Sequence, residues 1–192
     1  MDLEASGFSN DSYPISIAWN DPQGTIERIL IAPNSVPTWT AWDPQAEIVH
    51  GLDRERLNRN GWGADYVADL LNRSLEGQTV YTDAPEFDTR WLDRLFAAVD
   101  KPRTFTIQHA DDLLLPLLHR SYELEWQAVA RLDSLKSKIR AVVPGQHDAG
   151  YDVGYLLQVW RAAQGHPVKM GHGIGPLPET TATGTFVRVK QG

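Results

Sequence analysis

Alternation of apolar and polar residues near the start of the chain predicts a β-hairpin. Residues 14–19 and 25–32 alternate in this way, which is the period of a strand with one buried face. Between them, Asn20-Asp21-Pro22-Gln23-Gly24 is rich in residues that favour turns. We therefore expect two neighbouring antiparallel strands.

Helical and extended segments then alternate along the chain. Apolar residues at helical spacing predict helices over 63–75, 87–99, 121–140 and 148–163, and strands are expected at 79–82 and 103–107. The apolar face of the last helix includes Val153, Leu156, Leu157 and Trp160, which we expect in the core. Residues 33–62 are rich in Pro, Trp and Asn and are expected to be irregular, apart from a short ordered segment at 47–51. This order predicts an α/β domain with a mixed sheet over residues 1–165.

The last residues of the chain differ in composition from this domain. Residues 166–192 are expected to form a partly flexible extension, in which 171–184 is a Gly-, Pro- and Thr-rich segment and 185–189 an edge strand.

Composition narrows the class of protein. The chain has 192 residues, 42% of them hydrophobic, which is enough for one buried core. No apolar run reaches the roughly 18–20 residues that cross a bilayer, and the first residues do not resemble a secretory signal. Cysteine is absent, which excludes thiolate ligands and nucleophiles. We therefore predict a cytoplasmic protein without a membrane partner.

The net charge of the chain argues against extensive contact with double-stranded nucleic acid. The net charge is −7, whereas proteins that grip long nucleic acid through many phosphates are usually basic. An enzyme that engages only the end of a strand is compatible with this charge.

Four carboxylates are candidates for chemistry. Asp2 and Glu4 are two residues apart, so a strand would place them on one face. Asp88 and Asp152 lie at helical spacing from apolar residues of two predicted helices. Taken singly, each has an ordinary explanation, either a solvated strand edge or a helix cap. Convergence of all four would require cations between them, and oxygen ligands favour Mg²⁺ or Mn²⁺.

Motifs around these residues resemble a known family. His147-Asp148-Ala149-Gly150-Tyr151-Asp152 fits His-x-Ala-x-x-Asp, and Asp2-Leu3-Glu4-Ala5-Ser6-Gly7 fits Asp-x-Glu followed by small residues. Phe87-Asp88 and Val49-His50-Gly51-Leu52 are similar to two intervening motifs. In their order and over residues 1–164, the motifs resemble those of DEDDh-type 3′–5′ exonucleases.

The resemblance implies a fold, an activity and a set of site residues. The fold would be RNase H-like, with a mixed five-stranded sheet flanked by helices. The activity would be release of nucleoside 5′-monophosphates from the 3′ end of single-stranded DNA or RNA, with two Mg²⁺ or Mn²⁺ ions. Asp2, Glu4, Asp88 and Asp152 would hold the metal, and with His147 as general base they form the catalytic set. Substrate contacts would come from Ala5, Ser6, Gly7, His50 and Leu52, although loop packing is an equal explanation for the last two.

Departures from the family pattern leave alternatives open. Ala84 stands where the second motif often has Asn, Asp83 adds a negative charge, and only Met1 precedes Asp2. A non-catalytic RNase H-like nucleic-acid-binding module and a small-molecule phosphodiesterase are the competing interpretations.

Two further groups of residues have both a functional and an ordinary interpretation. Trp39, Trp42 and Trp62 would line a strand-binding groove on the functional interpretation. Lys136, Lys138 and Arg140 are more typical of a solvated helix end than of a phosphate contact.

Overall fold

The computed structural model describes residues 1–143 and 147–168, and these ranges form a mixed α/β structure. The strands are β1 (Asp2–Ala5), β2 (Pro14–Asn20), β3 (Ile26–Leu30), β4 (Thr79–Thr82) and β5 (Thr106–His109). The helices are α1 (Pro44–His50), α2 (Arg54–Asn60), α3 (Ala64–Leu75), α4 (Pro85–Ala98), α5 (Ala110–Leu118), α6 (Glu125–Arg140) and α7 (Ala149–Ala163). A 3₁₀ turn covers Pro33–Ser35.

The strands form one antiparallel and one parallel sheet. β2 lies between β1 and β3, with Asp2 opposite Ala18 and Ser16 opposite Leu30. The β2–β3 turn is closed by the Asp21 carboxylate, which accepts hydrogen bonds from the backbone N–H groups of Gln23 and Thr25. β4 and β5 pair in parallel. The predicted hairpin is therefore confirmed.

The expected single five-stranded sheet does not form within the described residues. A three-stranded and a two-stranded sheet meet where the Met1 ammonium group donates a hydrogen bond of 2.9 Å to the Tyr81 carbonyl. Met1 lies just before β1, and in the part of the chain that the structure describes no ladder joins the two sheets. A cleft of about 650 Å³ lies between the two sheets, and Met1, Trp19 of β2 and Val80 of β4 are among the residues that line it.

The cleft explains why Trp160, which was expected in the core, is partly exposed. Trp160 lies on the apolar face of α7, as expected, but that part of the helix borders the cleft and the residue is 37% exposed. Val153, one turn into α7, is buried against Ala18 and Ala149, so the predicted apolar face is correct at its beginning. The main core fills the space between the three-stranded sheet and helices α3 and α4.

Several element boundaries differ from the prediction. Residues 33–62 are not largely irregular, because the Asp43 and Asp53 side chains cap α1 and α2 by accepting bonds from backbone N–H groups. β5 begins at Thr106 rather than 103, and α5, which contains Pro116, was not predicted. The segments at 171–184 and 185–189 lie outside the described residues. Among those that are described, no helix combines the length and hydrophobicity needed to cross a membrane.

Candidate metal centre

Strand β1 and helix α7 bring three of the predicted carboxylates together. Leu3 and Ala5 point into the core, so the alternate residues Asp2 and Glu4 share the opposite face of β1. One carboxylate oxygen from each of Asp2, Glu4 and Asp152 lies within 4.8 Å of the other two. We call these three residues the acidic cluster.

Burial and mutual repulsion make ionisation of the acidic cluster costly. Burial, followed by the charges of Asp152 and Asp148, raises the pKa of Glu4 to about 8, although Arg28 opposes this rise. Burial also raises the pKa of Asp2 well above its ordinary value, with further contributions from Asp88, Asp152 and Glu4. A cation placed among these oxygens would relieve both effects.

Asp88 lies near Asp2 but is not one of the three residues of the acidic cluster. It is the fourth residue of α4 and is 1% exposed, and its carboxylate accepts a hydrogen bond from the Thr82 hydroxyl at the end of β4. The pKa of Asp88 rises to about 7 because of burial, while the bond from Thr82 lowers it. Ala84 is the N-cap residue, so the explanation of Asp88 as a helix cap is wrong. Asp88 is close enough to Asp2 to raise the pKa of Asp2 electrostatically.

The first turn of α7 is fixed by Asp148 rather than by His147. The Asp148 side chain accepts hydrogen bonds from the backbone N–H groups of Gly150 and Tyr151, which makes it the N-cap. It also pairs with Arg28 of β3, which in turn donates to the Ser16 hydroxyl. His147 is exposed and has a left-handed backbone, with φ of 59°. Its backbone N–H group bonds the Asp152 carboxylate. A capping role for His147 is therefore excluded.

His50 is the last residue of α1. Its Nδ1 accepts a hydrogen bond of 3.0 Å from the Leu52 backbone, and Nε2 is buried. Burial lowers the pKa of His50, as does His147, whereas the Glu47 charge and a hydrogen bond with the Ala5 backbone raise it. Leu52, by contrast, is 7% exposed and belongs to the main core, which leaves little of it for a substrate.

The small residues after Glu4 have a packing role. A Cβ atom on Gly7 would lie 2.9 Å from Cβ of Asp43, so only glycine permits this approach of β1 to the start of α1. The Ser6 hydroxyl accepts a hydrogen bond of 3.2 Å from the Tyr13 backbone, and Ala5 is buried. Contact of these three residues with substrate stays a prediction.

An exposed aromatic group lies beside Asp88 and was not predicted. Phe8 is 63% exposed and packs edge-to-face on Phe87, with ring centroids 5.7 Å apart. Arg90 lies over the Phe87 ring at 5.2 Å and donates a hydrogen bond to the Phe8 carbonyl. Exposed aromatic rings beside a guanidinium are suited to contact with nucleobases. The sequence signal is that apolar residues directly follow Gly7 and precede Asp88.

The other tryptophans are mostly structural. Trp39 is 2% exposed and stacks on Tyr13, which favours the ordinary interpretation of this residue over a place in a groove. Trp62 is partly buried and stacks on Tyr66. Trp42 lies beside His50 and donates a hydrogen bond to Glu47.

Two arginines also reach this site, and sequence reasoning did not single them out for it. Arg28 and Arg140 contact Asp148 and Asp152, respectively, at the start of α7. The sequence favours a solvated helix end for Arg140, because its partner Asp152 lies on the next helix and no local pattern connects them.

The chain matches no family model and no curated protein.

Proposed function

We propose that this protein is a metal-dependent 3′–5′ exonuclease of the DEDDh type, acting on single-stranded DNA or RNA ends. The observation that carries the proposal is the convergence of Asp2, Glu4 and Asp152. Asp88 lies close enough to Asp2 to affect its pKa, and His147 immediately precedes the N-cap of α7, the helix that carries Asp152. These residues come from distant parts of the chain, so their meeting is not a consequence of local sequence.

The donor set fits a hard divalent cation. Each of the three converging groups is a carboxylate, and oxygen ligands of this kind are preferred by Mg²⁺ and Mn²⁺. Burial and the nearby carboxylates raise the pKa of Glu4 to about 8, and a bound cation would favour its ionised form. Asp2, Glu4 and Asp152 would hold one ion, and Asp2 with Asp88 a second. Two such ions would supply positive charge to the phosphodiester and to the leaving 3′ oxygen.

The remaining residues would bind the strand end and move a proton. His147 is exposed, so its imidazole is open to the attacking water and would take a proton from it. Phe8 and Phe87 would stack on bases next to the cleaved bond. A short contact of this kind is compatible with a net charge of −7, which disfavours a long nucleic-acid footprint.

The strand arrangement supports an RNase H-like fold. The antiparallel sheet has the order β3–β2–β1, so β1 is its edge strand. Met1, which precedes β1, contacts Tyr81 of β4, and β4 pairs in parallel with β5. Closing the cleft between β2 and β4 with a longer β1 would give the mixed five-stranded sheet of that fold.

Single strands labelled at the 5′ end provide the test. With Mn²⁺ they should shorten stepwise from the 3′ end and release nucleoside 5′-monophosphates, and excess chelator should stop the reaction. Asp2→Asn should abolish activity, whereas Asp133→Asn, an equal change of charge at an exposed position of α6, should not. Activity that survives the chelator, or that survives in Asp2→Asn, would refute the metal mechanism. Parallel DNA and RNA substrates decide which nucleic acid is cleaved.

A further inference from the structure

Arg140 places a positive charge directly on the acidic cluster. It is the last residue of α6, and its Nη1 donates a hydrogen bond of 3.0 Å to Oδ1 of Asp152. The side chains of Arg140 and Asp152 are 28% and 13% exposed, so solvent reaches the pair only in part. The Arg140 guanidinium is therefore hydrogen-bonded to Asp152, a carboxylate that would also hold the cation.

The orientation of this guanidinium is fixed by an aromatic ring. The Arg140 Cζ atom is 3.5 Å from the centroid of the Tyr155 ring, and Tyr155 is itself buried one turn after Asp152. The Tyr155 side chain also forms a hydrogen bond with Arg140. Stacking on a ring fixes the plane of a guanidinium. The fork of N–H groups in that plane suits a carboxylate or a phosphate.

The two arginines at the start of α7 differ in what they can do. Arg28 is 9% exposed on its side chain and is held between Ser16 and the N-cap Asp148, so its role is to position α7. Asp152 is a member of the acidic cluster, whereas Asp148 is not. A divalent cation in the acidic cluster would share the charge of Asp152 and so weaken the ion pair between Asp152 and Arg140.

We propose that Arg140 is a phosphate-binding residue of this site, held by Asp152 in the free protein and contacting the phosphate of the terminal nucleotide when metal and nucleotide are bound. The inference rests on the proposed function. It deepens that function by assigning a cation of the protein itself to recognition of the phosphate, in a chain whose net charge is −7. Arg140 is a binding residue here and takes no part in proton transfer.

Binding measurements separate this role from a structural one. The affinity for Mn²⁺ alone, and then for adenosine 5′-monophosphate and adenosine at saturating Mn²⁺, is measured for the wild type, Arg140→Gln, Arg140→Lys and Arg131→Gln. The last variant is the matched control, because Arg131 is also on α6 and pairs with Glu123, which precedes that helix. Thermal unfolding of each variant reports any loss of structure.

The expected pattern is an opposite change in the two affinities. Arg140→Gln removes a positive charge beside the metal ligands, so it should bind Mn²⁺ more tightly by about 3- to 10-fold. It should also bind the monophosphate more weakly by about 10- to 100-fold, the range for a lost hydrogen bond between charged groups. Its affinity for adenosine should be unchanged, because adenosine has no phosphate. Arg140→Lys keeps the charge but not the fork, so its affinity for the monophosphate should be intermediate.

Each other outcome contradicts the proposal in a recognisable way. If Arg140→Gln binds Mn²⁺ and still prefers the monophosphate over adenosine as strongly as the wild type does, Arg140 has no phosphate contact. If both affinities fall together with the melting temperature, while Arg140→Lys retains wild-type discrimination, the pair with Asp152 is structural. If the wild type binds no Mn²⁺, the proposed function fails and this inference fails with it.

Discussion

Replacing Glu4 with glutamine should stabilise the metal-free protein. Glu4 lies in the acidic cluster, and burial and the charges of Asp152 and Asp148 raise its pKa from 4.5 to about 8. Glutamine has nearly the same shape and carries no charge, so it removes the repulsion and keeps the packing. Most substitutions of partly buried residues destabilise a protein, which makes the opposite expectation a sharp one.

The magnitude follows from the pKa of Glu4. Below pH 4.5 the carboxyl is protonated in both the folded and the unfolded chain, so it does not affect stability. Between pH 4.5 and about 8 the unfolded chain releases its proton more readily, and the free energy of unfolding therefore falls as the pH rises. At ~1.4 kcal/mol per pH unit, the loss approaches ~3 kcal/mol near pH 7. With some relaxation of solvent around the site, we expect Glu4→Gln to be more stable by about 1–3 kcal/mol.

Urea denaturation with chelator at about pH 5 and about pH 7.5 measures this effect. The two proteins should differ little at the lower pH and clearly at the higher pH. Glu27→Gln, on β3, is the control for loss of one acidic charge and should not reproduce the pH dependence. Saturating Mn²⁺ should stabilise the wild type more than Glu4→Gln.

Two results would refute this reasoning. Equal stability of the wild type and Glu4→Gln at both pH values would show that the Glu4 carboxylate is not repelled. Equal stabilisation of both proteins by Mn²⁺ would exclude Glu4 as a metal ligand.

Three more substitutions test other parts of the site. His147→Ala should lower the turnover rate by about 10²–10⁴-fold without changing the affinity for Mn²⁺, and near-normal turnover would exclude a general base at this position. Phe8→Ala should weaken binding of single strands by about 10- to 100-fold, as measured by fluorescence anisotropy, because a stacking ring is lost. Trp126→Ala, which removes an equally exposed ring on α6, is its control and should bind normally. Gly7→Ala should lower the free energy of unfolding by about 1–3 kcal/mol, because its Cβ would approach that of Asp43 to 2.9 Å, and unchanged stability would show that the loop adapts.

The elements with strong periodicity were predictable from the sequence. β2, α3, β4 and α7 lie within one or two residues of their expected positions, because alternation or an apolar face determines which side of each is buried. The shared face of Asp2 and Glu4 followed from the strand period alone. In α1 and α2, by contrast, short helices depend on caps from Asp43 and Asp53, and seven residues are too few for a clear apolar face.

Contacts across the chain were not predictable in the same way. The Thr82 hydroxyl reaches Asp88 only because β4 ends beside the first turn of α4. Arg140 and Asp152 meet because α6 packs against α7, and no local pattern marks either as a partner of the other. Likewise, Trp160 has the spacing of a core residue but faces a cleft, since the packing of the two sheets decides what α7 covers.

The two helices that contribute carboxylates also moderate the repulsion within the site. Asp88 and Asp152 are each the fourth residue of their helix, so the N-terminus of α7 lies at the acidic cluster, and that of α4 lies close enough for Asp88 to act on Asp2. The partial positive charge at a helix N-terminus stabilises nearby anions, typically by about 0.3–1 kcal/mol each. Arg28 and Arg140 add full positive charges at the start of α7. These charges oppose the effect of burial on the carboxylates, and burial still raises the pKa of Glu4 to about 8. The proposed divalent cation would oppose the effect of burial further, by favouring the ionised carboxylates.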